Sequence, residues 1–295
     1  MIKIKATGLF NKTHFLIWLK KRLNEEFIIS LDESNPDYLI YNAFNDEYKN
    51  PKYKNIVKIA IYTENLIPDL NESDYCIAHY HINYLDRYFK YNIFLWRNFT
   101  NFDNIRKNVL KSKKKKFCAA VISNCRAKFR LKFINILSRY KKVDIGGYCK
   151  NNINKTIINK IQFLSEYKFS IAMENSEGDG YISEKIYQSF LSGTIPIYYG
   201  DYMIDEFINP KTYILIKGEN DIKTKIDYII KIDKDDKLYN KILKEKPLID
   251  DNFMDKIDKN EIKLFLTNIF KQDKNKAFRR DDIFWLENNL IVFKN

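Results

Sequence analysis

A sequence of 295 residues, 45% of them hydrophobic, carries enough apolar side chain to bury the cores of two compact domains. Its 51 basic and 38 acidic residues leave a formal charge of +13, which suits an anionic partner such as a nucleotide diphosphate, a nucleic acid or an acidic membrane surface. Four cysteines without C-x-x-C spacing argue against a zinc site and read as reduced thiols; with no N-terminal signal and no apolar run near the ~20 residues of a membrane span, the chain reads as soluble and cytoplasmic.

The chain opens on a period-two strand, Ile2-Lys3-Ile4-Lys5, and a helix over Thr13 to Leu23 with Phe15, Trp18, Leu19 and Leu23 apolar. Strand signals follow at Phe27 to Ser30, Tyr38 to Tyr41 and Val57 to Tyr62, an alternation that predicts a first α/β domain. The strongest strand runs into Thr63-Glu64-Asn65, placing Glu64 at the carboxyl edge of the sheet as a substrate-facing carboxylate or a solvated loop residue. His79 and His81 share one side of an extended segment without a third ligand in view, which predicts packing rather than metal binding.

The lysine run from Lys111 to Lys116 marks a composition break, so the expected division is residues 1–110, 111–272 and a tail 273–295. A strand over Phe117 to Ile122 leads through Ser123-Asn124-Cys125 into a helix with Phe129, Phe133, Ile136, Leu137 and Tyr140 apolar; Arg130 lies off that line, as a surface residue or a ligand-facing one. A helix is expected over Thr156 to Tyr167. Phe169 to Met173 then forms a strand, and the loop Asn175 to Gly180 holds two glycines. Ser183 is placed to cap a helix bearing Ile186, Phe190 and Leu191 on one face, with Gly193 to end it and Ile195 to Tyr199 as the next strand. A parallel βαβ unit sets that loop and helix start at the ligand-binding edge of the sheet. Lys185 in the first helical turn opposes the helix dipole, a placement that makes sense beside an anionic ligand; Tyr181 and Glu184 flank it. A strand over Tyr213 to Ile216, polar helices to about residue 272 and an amphipathic tail with Phe284, Trp285 and Leu286, expected to pack back on the first domain, complete the chain. Asp233-Lys234-Asp235, the chain's one Asp-x-Asp pair, reads as solvated surface and no metal site is expected.

Three ordered motifs carry a resemblance. Glu174-Asn175, Gly180-Tyr181-Ile182-Ser183-Glu184-Lys185 and Ile195-Pro196-Ile197-Tyr198-Tyr199-Gly200 resemble the donor-binding signature of the α1,3-fucosyltransferases, which use GDP-fucose. Ser123-Asn124-Cys125 with Arg130 and Lys142-Val143-Asp144-Ile145 is similar to the family's preceding motif, and Tyr62-Thr63-Glu64-Asn65 with Pro68 and Asp74-Tyr75 to its N-terminal one. Met173 stands where the family often has Phe and Ser183 where it often has Thr; neither change removes a functional group. The resemblance implies a GT-B fold, two Rossmann-like domains facing each other across a cleft. It implies inverting transfer of fucose to O3 of N-acetylglucosamine in N-acetyllactosamine-type chains, as in Lewis antigen or surface glycan synthesis. Glu64 would be the general base, Arg130 the clamp on the donor pyrophosphate, and Asn175, Tyr181, Glu184 and Lys185 donor contacts. No cofactor is implied beyond the donor, with a divalent metal at most stimulatory, no nucleic-acid partner, and at most weak peripheral contact with the inner face of a membrane. The alternatives are another nucleotide-sugar transferase of the same fold and a non-catalytic polyanion-binding protein.

Overall fold

In the computed structural model of the chain, which describes residues 1–9, 11–23, 26–91, 106–107, 116–250 and 256–280, short apolar runs near the N-terminus become one parallel sheet. Its elements are β1 (Ile2–Thr7), α1 (Lys12–Leu23), β2 (Ile29–Leu31), β3 (Tyr38–Tyr41), β4 (Val57–Ile61), β5 (Tyr75–Ala78) and β6 (Tyr88–Lys90), with strand order β2-β1-β3-β4-β5-β6. Every residue of β3, β4 and β5 is buried, the mark of parallel strands covered on both faces. Helix α1 buries Phe15, Leu19 and Leu23, one residue per turn.

The second sheet is also wholly parallel. It comprises β7 (Lys116–Val121), α2 (Lys128–Leu137), β8 (Val143–Gly146), α3 (Lys160–Leu164), β9 (Tyr167–Met173), α4 (Glu184–Leu191), β10 (Ile195–Tyr199), β11 (Ile214–Leu215), α5 (Ile222–Lys234) and α6 (Asp236–Lys244). The order β11-β10-β9-β7-β8 is that of a doubly wound sheet, and Phe133, Phe169, Ile197 and Ile229 lie at its core. The chain turns back between β7 and β9, so the loops that leave those two paired strands open a crevice at their carboxyl ends.

Two compact units result, Met1–Asn92 with Asn252–Asn295, and Ile93–Asp251. The closing helices α7 (Ile262–Lys271) and α8 (Lys274–Ala277) thus join the first unit, whereas sequence alone groups residues up to 272 with the second. The reason is apolar: Phe270 of α7 packs edge-on against Tyr38 at 4.8 Å and Phe27 at 5.9 Å. Beyond α8, the amides of Arg279 and Arg280 donate to Asp74 Oδ1 at 2.6 and 3.0 Å. The expected boundary near residue 110, Lys111 to Lys115, and Phe284, Trp285 and Leu286 lie outside the described residues; Lys116 pairs with Glu166 at 2.6 Å. No helix among the described residues is long and apolar enough to cross a membrane.

Three expectations change. The helix expected over Thr156 to Tyr167 contracts to the five residues of α3, because Asn151 Oδ1 takes the Ile153 and Asn154 amides into an Asx turn upstream and Asn159 caps only at Gln162. Asp233 is not solvated surface: its buried carboxylate accepts from Tyr140 at 3.0 Å and Lys141 at 2.5 Å and lies 3.3 Å from Lys168, while Asp235 caps α6. Nor are all four thiols reduced, since Cys125 and Cys149 form a disulfide with Cα atoms 5.4 Å apart, leaving Cys76 and Cys118 free and buried. Neighbouring parallel strands explain it: the loops leaving β7 and β8 emerge side by side, which a separation of 24 residues does not reveal.

Closing a loop of that length removes about 3 kcal/mol of unfolded-state entropy. A Cys125→Ser, Cys149→Ser double variant should therefore melt roughly 6 to 12 °C lower, at 2 to 4 °C per kcal/mol for a unit of this size. Equal melting curves for parent and variant under non-reducing conditions would show that the bridge adds nothing.

Candidate active site

The site grows from the exit of β9. Glu174 follows Met173, its amide donating to Tyr199 O at 2.7 Å, and its side chain is almost wholly buried, 1% exposed. Such a carboxylate needs donors on both oxygens. Oε1 accepts from the Ser183 amide at 2.8 Å and the Ser183 hydroxyl at 2.7 Å, and Oε2 from Lys185 Nζ at 2.6 Å. Ser183 is the N-cap of α4, in extended conformation with Oγ accepting the Lys185 amide, and it takes a second bond from Lys185 Nζ at 2.8 Å. Two of the three ammonium donors of Lys185 are thus spent holding it at the helix N-terminus, and the third remains for a ligand. Gly200 completes the pocket around the carboxylate, since a Cβ there would stand 2.5 Å from Tyr198 Oη and 2.8 Å from Glu174 Cγ.

Arg130 of α2 reaches the same crevice from the other side of the switch point. The structure resolves its alternatives in favour of burial: the guanidinium donates from Nη1 to Met173 O at 3.1 Å and Asn175 Oδ1 at 2.9 Å, and from Nη2 to Asn124 O at 2.9 Å. Arg130 therefore ties the β7 loop to the β9 loop. Its Nε–H, also buried, has no hydrogen-bond partner among the described residues. Burial pulls its charged state down and the Glu174 carboxylate pulls it back up.

The remaining expected residues divide by unit. Asn175 is exposed and bound to Arg130; Tyr181 is buried, its amide donating to Gly178 O at 2.9 Å. Glu184, in the first turn of α4 and partly exposed, has no hydrogen-bond partner among the described residues. These, with Arg130 and Lys185, belong to the second unit, and Glu64 to the first. Glu64 leaves β4 on an exposed turn between fixed neighbours: Thr63 Oγ1 accepts from Asn42 at 3.1 Å and Asn65 Oδ1 from Tyr80 at 2.9 Å. His79 is buried against Tyr80 and Asn65, and His81 meets Lys90. Among the described residues no group of three or more His, Cys, Asp or Glu is placed to hold a metal ion.

Glu174 is the residue that sequence reasoning leaves off the site. Its position one residue past a buried strand, nine before the cap it accepts from, is the available signal. A capped helix start, a pinned ammonium and an unspent buried guanidinium N–H gather the kind of donors that an anion accepts from.

A model of the glycosyltransferase family 10 (fucosyltransferase) C-terminal region matches residues 111–265, and one of the alpha-(1,3)-fucosyltransferase FucT N-terminal domain matches residues 8–97. An alpha-(1,3)-fucosyltransferase FucT of Helicobacter pylori is 27% identical over 77% of this chain and 55% of its own length. A putative fucosyltransferase of Acanthamoeba polyphaga mimivirus is 35% identical over 50% of this chain and 26% of its own. The chain thus spans about half, or less, of the curated relatives it matches. The crystal structure of an alpha1,3-fucosyltransferase superposes with a TM-score of 0.80 at 25% identity, covering 92% of this chain and 90% of that one. A second, of an alpha1,3-fucosyltransferase with GDP-fucose, does so with a TM-score of 0.76 at 24% identity, covering 92% and 91%. The fold is of the GT-B type.

Glu174→Gln keeps an oxygen for Ser183 but turns an amide NH2 towards Lys185, so it should destabilise by about 2 to 3 kcal/mol, less than a fully buried broken pair because Lys185 can turn to water. Gly200→Ala should lower the melting temperature in the same direction by displacing the carboxylate. Melting of both variants at the parent's temperature would show that Glu174 does not hold α4.

Proposed function

The chain belongs to glycosyltransferase family 10, the fucosyltransferases, and from that premise we propose that it moves fucose from GDP-fucose to a hydroxyl of an acceptor glycan with inversion at the sugar carbon. The observation that carries the reading is the Lys185 ammonium, bonded to Glu174 and Ser183 yet retaining one donor, at a capped helix start on the sheet's ligand edge. The diphosphate binds there, with Arg130 Nε as a second donor and Glu184 as an acceptor for sugar or ribose hydroxyls. Asn175 and Tyr181 shape the loop around it.

In the transfer step the acceptor oxygen gives its proton to Glu64 and bonds to fucose C1 as the bond from C1 to the departing GDP oxygen breaks. A single displacement needs one base and inverts the carbon. Negative charge grows on the terminal phosphate, where cations and backbone N–H groups already in place stabilise it without reorganising. The acceptor that best suits the family is O3 of N-acetylglucosamine in an N-acetyllactosamine-type glycan.

GDP-fucose should raise the melting temperature selectively over GDP-mannose, UDP-sugars and oligonucleotides. Glu64→Gln should bind the donor as the parent does while transfer falls roughly 10²- to 10⁴-fold, the worth of a positioned base; a loss under about fivefold would remove Glu64 from that role. Transfer should also persist in EDTA, because Lys185, Arg130 and the helix start meet the leaving group. Complete loss, restored only by a divalent ion, would require a metal in the step.

A further inference from the structure

Lys160 lies outside all the motif residues, yet its side chain is part of the same electrostatic cluster. It opens α3, which Asn159 caps and which lies beside α4 and packs through Leu164 and Phe163 against Ala119 of β7 and Tyr167 of β9. The charges that act on its ammonium are Glu184 and Lys185 from α4, Glu174 from the end of β9 and Arg130 from α2, four residues of the donor site. From β7 the one charged side chain is Lys116, which is paired with Glu166.

Among the site's cations its state is different in kind. Lys185 is bonded to Glu174 and Ser183, and Arg130 to two carbonyls and Asn175. Lys160 is partly buried and its ammonium has no hydrogen-bond or ion-pair partner among the described residues. A cation already tied to the protein meets a ligand through the donors it has left, whereas an untied ammonium brings all three. We propose that Lys160 supplies a third cation to the diphosphate of the donor, beside Lys185 and Arg130. This rests on the GDP-fucose reading above and names a residue that reading does not contain.

A consequence follows in protons. Burial, with the positive charges of Lys185 and Arg130 adding to it and Glu184 and Glu174 opposing, pushes the Lys160 ammonium down to about 8. At pH 8 the empty enzyme therefore holds Lys160 about half charged, and a bound diphosphate favours the charged form. GDP binding at that pH takes up a fraction of a proton, on the order of half. The terminal phosphate, with a pKa of about 6, is already ionised and does not contribute. No histidine contributes from the second unit, since all three, His14, His79 and His81, lie in the first.

The test is calorimetric titration of GDP into the full chain at pH 8 in Tris and in HEPES, whose different heats of ionisation report the protons taken up. The parent should take up about half a proton. Lys160→Met should bind roughly tenfold more weakly with that uptake gone, the size of one lost charge-assisted bond. Lys160→Arg should keep most of the affinity and also show no uptake, because a guanidinium is charged throughout; a merely structural lysine would not separate the two readouts in this way. Lys160→Met binding GDP as tightly as the parent, or any Lys160 variant keeping the parent's uptake, would overturn the proposal; should the Met variant fail to fold, Lys160→Arg decides by its uptake alone. A parent that binds no GDP would instead sink the donor reading itself, which is a separate outcome.

Discussion

A buried carboxylate with no water to solvate it dictates what surrounds it, and Glu174 does so here. Its two oxygens collect the amide and hydroxyl of Ser183 and the ammonium of Lys185, so the start of α4, the cap and the cation are one unit. Charge balance is the logic. A helix N-terminus repels a lysine, and the adjacent carboxylate neutralises enough of that repulsion to keep Lys185 in the first turn with a donor to spare. The strand β10 is fitted to the same group, through Gly200 below it and Tyr199 O accepting the Glu174 amide.

Topology makes such a device useful. In the order β11-β10-β9-β7-β8, the paired strands β7 and β9 send their chains to opposite sides of the sheet, which opens a crevice where they end. Arg130 crosses that crevice, bonded to Asn124 O of one loop and to Met173 O and Asn175 of the other, and the Cys125–Cys149 bridge fixes the first loop to the loop after β8. The loops that leave β7, β8 and β9 are therefore tied to one another by the Arg130 bonds and the disulfide.

Much of this is legible in the sequence because local chemistry and tertiary role agree. Ser183 followed by an apolar helical face and Gly193 predicts α4 to within a residue, and Gly193 does adopt the left-handed conformation, φ 61°. Strands β3 and β10 read directly from their runs of Ile, Leu and Tyr. Strands β5, β6 and β8, of three or four residues, do not, because nothing local marks them and burial between neighbours alone makes them strands. The roles of Glu174, Asp233 and the disulfide are likewise products of pairing between distant segments. Asp233 sits in a charged stretch of sequence, and only the approach of Tyr140, Lys141 and Lys168 buries it. Lys160 belongs to the same class: an interior residue of the expected helix Thr156 to Tyr167 by sequence, and the first residue of α3, within reach of the charges of Glu184 and Lys185, in the structure.

The first unit applies one of these rules to a different end. Asp74 is buried like Glu174, and its oxygens accept the amides of Lys58, Arg279 and Arg280, with Arg280 Nη1 3.3 Å away. Arg87, also buried, donates to the carbonyls of Asp74, Leu70 and Ser73. The segment between β4 and β5 that carries Glu64 is thereby anchored at its far end by residues more than two hundred positions further along the chain. At its near end Asn42 holds Thr63, and Tyr80 holds Asn65. The backbone on either side of the exposed Glu64 carboxylate is thereby fixed. The bonds of Arg279 and Arg280 to Asp74 thus help to fix the segment that carries Glu64, as well as joining residues past α8 to the first unit.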